Sequence, residues 1–470
     1  MAHPSGATRM TDGAIWKRIV VFAIPIFLGN LFQQFYNMAD SLIVGNFLGS
    51  DALAAVSSSG PLIFLLVGFF NGLALGTGVV IARHYGAGDR ERLHLAVHTT
   101  AALGVLAGII LTVAGVFLTP HLLVWMGTPQ EILTESILYF RIYFLGSMGF
   151  VLYNFLVGIL QSVGDSRHPL YYLIFSSALN ILLDLLLVGG FGYGVGAAAL
   201  ATCISQFASA LCCLVRLCRT REEYRLELRK VRIHRKMLRS MLSNGLPSGM
   251  QNAMISIANV VVQSSINGFG KLAMAGCGAY SKIEGFVFLP IMSFSLALST
   301  FISQNLGAGE AVSDQGKAQE GGKALPDGYG RARQGAYFGV VCTVAISELL
   351  GALYYVSAPV LIGMFSKDPA VVAFGVRQAR VESFFYMFLG FSHCMAGILR
   401  GAGRAGQPMA IMLVCWCLIR VPYIVLGLKA VPEIGLIFSA YPVTWMLSSA
   451  VFLYLLLKGD WARGFKKDGV

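Results

Sequence analysis

The chain has 470 residues, of which 56% are hydrophobic and 12% charged, and its mean hydropathy is +0.69. A water-soluble globular chain carries about 25% charged residues, so the composition excludes that class and indicates an all-α polytopic membrane protein. The net charge of +12 does not indicate nucleic-acid binding, because the basic residues sit between hydrophobic spans rather than on one soluble face. Nine cysteines form no C-x-x-C pair, which argues against both a disulfide framework and a zinc site. Lys17 and Arg18 precede a long span with no small-residue cleavage site, so the first helix is expected to stay in the mature protein.

In chain order, twelve segments are long and apolar enough to cross ~30 Å of hydrocarbon. They are 16–47, 52–82, 93–118, 131–160, 169–190, 195–217, 240–268, 273–303, 334–358, 371–398, 408–429 and 434–457. Of the 35 lysines and arginines, 27 fall in the N-terminus, alternate loops and the C-terminus, against three (Lys271, Lys367, Lys429) in the opposite loops. The positive-inside rule then puts both termini in the cytoplasm. The segment 218–239 is read as a basic cytoplasmic linker, solvated or facing lipid headgroups. It divides the chain into an N-terminal six-helix bundle, 1–217, and a C-terminal one, 240–470.

The two bundles carry an internal repeat. Pro25 and Asn37 align with Pro247 and Asn259 at an offset of 222, and Gly86-Ala87-Gly88 with Gly307-Ala308-Gly309 at 221. Gly158-Ile159-Leu160, Gly164 and Pro169 align with Gly397-Ile398-Leu399, Gly403 and Pro408 at 239. The jump locates a polar, Gly-rich insertion at about 311–330, read as a flexible and dispensable cytoplasmic loop. An even number of spans per half predicts two bundles related by a pseudo-two-fold axis along the membrane normal, an arrangement common in transporters.

The first span, PIFLGNLFQQFYNMADSLIVGNFLG from Pro25, carries an acid. An ionised Asp at a helix centre costs about 2.5 to 3.5 kcal/mol on the insertion scale, so such residues usually face an interior or a watery cavity. At 100° per residue, Asn30, Gln33, Asn37 and Asp40 lie within an arc of about 80°, a polar seam ending in the carboxylate. The repeat serves as an internal control. Asp40 corresponds to Val262, Asn180 to Ile419, Asp184 to Tyr423 and Thr202 to Tyr441, so only the first half keeps these groups. Asn180 and Asp184, four residues apart, share a helix face, and their oxygens suit a proton or a hard cation such as Na⁺. Asn252, Ser256, Asn259 and Gln263 form an uncharged seam in the seventh span, read as cavity wall or helix packing. Asn154 is a further cavity-lining candidate, and Glu284 is the candidate for a second titrating or drug-facing acid. Arg380 aligns with Arg141, and a recurring charge reads as a structural pair near the membrane edge.

Other signals are weaker. His94 and His98 in HLAVH lack the acid of the H-E-x-x-H zinc motif and read as polar residues at a membrane edge. Gly192 to Gly196, GYGVG, joins two spans with no preceding strand and reads as a tight turn. No GxxxxGK[ST] is present, so energy is expected from an ion gradient or a partner, and no organic cofactor is called for.

The first-span pattern, ARHYGAGDRER, SQNLGAGE, and GILQSVGDSRHP paired with GILRGAGRAGQP together resemble the multidrug and toxic compound extrusion family over nearly the whole chain. The placement of Asp40, Asn180, Asp184 and Thr202 resembles its DinF-like branch, and the resemblance implies that these residues form a proton- or sodium-responsive site. It further implies an inner-membrane antiporter, acting as a monomer, that exports amphipathic or cationic organic compounds. The C-terminal half departs from the NorM-like branch, whose acid pair is not evident here. The competing readings are a flippase of a lipid-linked precursor, which calls for a basic cavity, and a membrane-embedded enzyme, for which no nucleophile–base or metal constellation is visible.

Overall fold

A computed structural model describes residues 9–49, 52, 56, 60–125, 128, 130–315, 328–458 and 461. The described residues contain helices and no strands. In order they are α1 (Ile15–Leu48), α2 (Gly60–Ala87), α3 (Arg90–Trp125), α4 (Gln130–Leu145), α5 (Ser147–Ser162), α6 (Arg167–Asp184), α7 (Val195–Arg219) and α8 (Arg235–Asn267). Then come α9 (Lys271–Gln315), α10 (Gly328–Gly363), α11 (Pro369–Ser383), α12 (Tyr386–Gly401), α13 (Gly406–Met412), α14 (Arg420–Ala430) and α15 (Ile434–Lys458). π-helical turns Leu185–Gly190 and Leu413–Ile419 extend α6 and join α13 to α14.

Among the described residues nine helices are individually long and apolar enough to span a membrane, and α4 with α5, bent by 43° at Gly146, makes a tenth. α8 is too polar for that count, with Asn252, Asn259 and Gln263 within it, and the tenth predicted span is divided into α11 and α12. The loop expected at 311–330 lies mostly outside the described residues; its ends are helical through Gln315 and from Gly328.

The chain divides into two compact units, Met1–Arg9 with Leu28–Leu242, and Met10–Phe27 with Ser243–Val470. α1 therefore serves both. Its Ile19, Phe22, Ala23 and Ile26 enter the core of the second unit with Phe301, Leu306 and Trp445, while Ile43 and Val44 enter that of the first with Phe140 and Phe155. Met10, almost fully buried, fixes the start of this segment. Its N–H donates to Gln304 Oε1 at 2.9 Å, and its carbonyl accepts from Asn305 and Arg331. The outward faces stay apolar: Leu349, Leu353, Val356 and Val360 form an exposed stripe along α10, the spacing of a lipid-facing helix.

Local chemistry sets the turns, and the repeat recurs in them. Gly164 and Gly403, equivalent at offset 239, both adopt positive φ (+85° and +72°), a conformation that glycine adopts without strain. The residues after them close matching turns, Asp165 N to Leu160 O and Arg404 N to Leu399 O, both 2.9 Å. Asp165 then accepts from His168 N at 3.2 Å, which satisfies one of the N–H groups left unpaired in the first turn of α6.

The basic linker is packed rather than wholly solvated. Tyr224 and Leu226 are buried against α3, α7 and α8, and the Leu226 N–H donates to Leu217 O at 2.9 Å. His94 and His98 anchor it: His98 Nδ1 lies 2.7 Å from His94 O, and the Glu227 N–H donates to His98 Nε2 at 3.0 Å.

Candidate functional site

In the first unit, Asp184 ends α6 immediately before the π-helical turn. Such turns are frequent at functional sites because the widened backbone re-aims the side chains around it. Asp184 and Asn180 are fully buried, Thr202 on α7 nearly so, and Asp40 on α1 half-buried. The Asp40 and Asp184 carboxyls lie within hydrogen-bonding reach of each other. Asn180 Nδ2 donates to Thr202 Oγ1 at 3.4 Å, and Thr202 donates to Ala198 O at 3.2 Å. The amide nitrogen is thereby occupied, which leaves its oxygen free to face a ligand.

Four buried oxygens here have no hydrogen-bond donor: Asp40 Oδ1, both oxygens of Asp184, and Asn180 Oδ1. Ionised carboxylates only accept, and a buried acceptor without a partner costs about 1–3 kcal/mol, more when charged. A shared proton would satisfy part of this set, and a desolvated monovalent cation would satisfy more of it. Among the described residues no group of three or more His, Cys, Asp or Glu is placed to hold a metal ion. Tyr36 and Tyr139 are electrostatic neighbours of Asp40, and Tyr143 adjoins both. The tyrosines were not singled out from the sequence, although Tyr139 and Tyr143, four apart on α4, carried the signal.

The polar seam is distributed more widely. Asn30 and Gln33 are half-buried and Asn37 is exposed. Asn154 donates to Phe150 O within its own helix at 2.8 Å. On α8, Asn252 is half-buried while Asn259 and Gln263 are exposed, with Gln263 Nε2 donating to Asn267 Oδ1 at 2.9 Å.

The second unit holds a carboxylate pair that the sequence reading did not assemble. Glu284 on α9 and Glu382 on α11 lie within hydrogen-bonding reach. Tyr280 Oη is 3.2 Å from Glu382 Oε2 and 3.4 Å from Glu284 Oε1, and Gln378 Nε2 donates to Glu382 Oε1 at 2.8 Å. Tyr386 Oη meets Tyr280 Oη at 2.6 Å. Buried Arg420 is an electrostatic neighbour of both glutamates.

The described residues form helices of membrane-spanning length with an acid pair in each unit, and the sequence is duplicated, features that fit a polytopic membrane transporter. The MatE family model matches residues 25–186, 247–313 and 327–426, and the chain belongs to that family. Over 476 residues it is 29% identical to the probable multidrug resistance protein YoeA of Bacillus subtilis, covering 100% of this chain and 98% of that one. It is 25% identical to the probable multidrug resistance protein NorM of Thermotoga maritima, covering 96% and 94%. An outward-facing multidrug resistance MATE family transporter matches the fold with a TM-score of 0.87 at 22% identity, covering 98% of this chain and all of that one. A MOP superfamily transporter from Pyrococcus furiosus matches equally, with a TM-score of 0.87 at 22% identity, covering 99% and 100%.

Proposed function

We propose that this chain is a secondary active antiporter that exports amphipathic or cationic organic compounds in exchange for H⁺ or Na⁺ by alternating access. In this reading it works as a monomer in the cell membrane with both termini in the cytoplasm. Relatives named as multidrug resistance proteins support export of drugs. The observation that carries the coupling mechanism is the set of donor-less buried oxygens on Asp40, Asp184 and Asn180.

Two facing carboxylates repel when both are ionised, so the pair favours binding one positive charge at a time. A proton bridges the two carboxyls. Sodium instead draws on the oxygens of Asp40, Asp184, Asn180 and Thr202, with the amide turned by its bond to Thr202. Loading removes the repulsion between α1 and α6, so the loaded and unloaded forms prefer different positions of the first helix. Pro25, inside α1, has no N–H for the helical ladder and gives that helix a place to bend. Export is driven only if drug and cation favour different states, because a ligand indifferent to the two shifts nothing.

The test is efflux of ethidium from proteoliposomes under an imposed proton gradient or an imposed sodium gradient. The reading expects one gradient to drive efflux and the other not. Equal efflux with neither gradient would contradict it.

A further inference from the structure

The linker between α7 and α8 has two faces of different chemistry. Its inner face is pinned to α3 and α7. Tyr224 and Leu226 are buried there, the Leu226 N–H donates to Leu217 O, the Glu227 N–H to His98 Nε2, and the His234 N–H to Thr99 Oγ1 at 3.4 Å. Two of its acids are already paired, Glu223 with Arg90 at 2.7 Å and Glu227 with Lys230 at 3.0 Å.

What remains outward is cationic and partly apolar. Arg221, Arg225, Arg229 and Arg232 are exposed, as are Arg235 and Lys236 at the start of α8. None of the six pairs with an acid among the described residues. Arg232 Nε donates to His234 Nε2 at 3.0 Å, a contact that brings no negative charge, and Glu222 is the exposed acid beside them. Among these cations stand two apolar side chains, Leu228 at 62% and Ile233 at 40% exposed.

The end of α7 fixes where this face lies. Leu200, Ile204, Phe207, Leu211 and Val215 are exposed at intervals of three or four residues, one apolar stripe along a membrane-spanning helix. Arg219, one turn beyond Val215 on the same stripe, is exposed too, so the stripe passes from hydrocarbon to a cation at the level of the headgroups. The linker leaves α7 at the next residue. Exposed apolar side chains set among arginines at that level have the composition of a surface that lies in the interface.

We infer that the outward face of the linker is a docking surface for anionic phospholipid headgroups, with Arg225, Arg229 and Arg232 on the phosphates and Leu228 and Ile233 in the acyl boundary. Charge complementarity selects this occupant. Guanidinium groups bind phosphate oxygens in pairs, whereas a second copy of the chain would bring the same unpaired cations against these. Bound lipid holds the linker, and with it the passage from α7 to α8, in its docked position. The inference goes beyond the proposed antiport, and its test involves neither transport nor the Asp40–Asp184 pair.

Hydrogen exchange of the full chain in lipid nanodiscs reads this surface directly. Nanodiscs of phosphatidylcholine alone are compared with others holding about 30% phosphatidylglycerol, which gives the leaflet a negative surface potential. Peptides covering Leu228–Ile233 should exchange about fivefold or more slowly with the anionic lipid, the effect of a single cation at an anionic surface. Salt at about 1 M, where the Debye length falls to about 3 Å, should remove the difference in the unaltered chain, a comparison that needs no substitution. Arg225→Gln/Arg229→Gln/Arg232→Gln should remove it as well. Equal exchange in the two lipids would overturn the inference, as would slowing that survives high salt or persists in the folded triple variant. Slowing that follows protein concentration in detergent and ignores phosphatidylglycerol would assign the face to a second copy and overturn it too.

Discussion

The hydroxyls of Tyr280 and Tyr386 lie 2.6 Å apart, and the first also reaches Glu382 Oε2 at 3.2 Å, so a chain of hydrogen bonds runs from α12 through α9 to α11. Both tyrosines are fully buried. Removing one hydroxyl leaves its partners short of a bond, at about 1–3 kcal/mol for a buried polar group. Tyr280→Phe is therefore expected to lower the melting temperature more than Tyr386→Phe, because it takes a donor from the glutamates as well. The double variant should lose less than the sum of the two, since both act on one chain.

Close helix contacts in the second unit are set by glycine. A Cβ on Gly351 of α10 would collide with the carbonyl oxygen of Ser383, at the end of α11. That obstacle is backbone and cannot rotate away, so Gly351→Ala should cost about 1–3 kcal/mol, the usual range for overpacking. The check is a melting curve of the detergent-purified protein beside Gly278→Ala, where a Cβ meets nothing within 4 Å. A drop in the first and little change in the second is the expected pair.

The linker should behave as a docked strap. The Lys230 ammonium, 3.0 Å from Glu227, is the main reason the Glu227 carboxyl is held below its ordinary value, with His94 adding to it. A carboxyl lowered in the folded state contributes stability that is present above its unfolded value and lost as pH falls through the folded one. Protection of the Leu226 and Glu227 amides, measured against intrinsic exchange at the same pH, is expected to hold at neutral pH and to fall only below the ordinary glutamate range. Glu227→Gln should remove the carboxylate's share of that acid-dependent loosening and leave the share that comes from protonation of His98, whose Nε2 accepts the Glu227 N–H.

Asn180→Ala distinguishes the coupling ion. It removes an oxygen that sodium would use and a bridging proton would not, so gradient-driven efflux should fall about tenfold or more in a sodium-driven protein, the effect of a single lost interaction of about 1.4 kcal/mol, and only slightly in a proton-driven one. Efflux assays under each gradient, with membrane levels matched, read the difference.

The acids of the first unit were legible because the repeat marks them: Asp40, Asn180, Asp184 and Thr202 stand where the second half has Val262, Ile419, Tyr423 and Tyr441. The second pair was not. Glu382 follows Arg377 and Arg380 and reads as part of an edge charge cluster, whereas in the fold Arg377 turns to Glu433 at 3.6 Å and Arg380 packs over Tyr355. Only packing of α9 on α11 brings Glu382 to Glu284, and spacing along one helix carries no trace of a pairing between two. Burial of the linker was hidden for a similar reason. Ten basic residues dominate 216–239, and the buried Tyr224 and Leu226 between them have no periodicity to announce them.

In the proposed mechanism the Asp40–Asp184 pair couples ion entry to export. Asp40→Asn keeps the side chain's size and removes its charge and its capacity to exchange a proton. The direct measurement is ethidium efflux from cells or proteoliposomes carrying Asp40→Asn at wild-type membrane levels and with an unchanged melting curve. Loss of gradient-driven efflux, with Asp184→Asn nearly as severe, is the predicted result; full efflux by the folded Asp40→Asn protein would contradict the account.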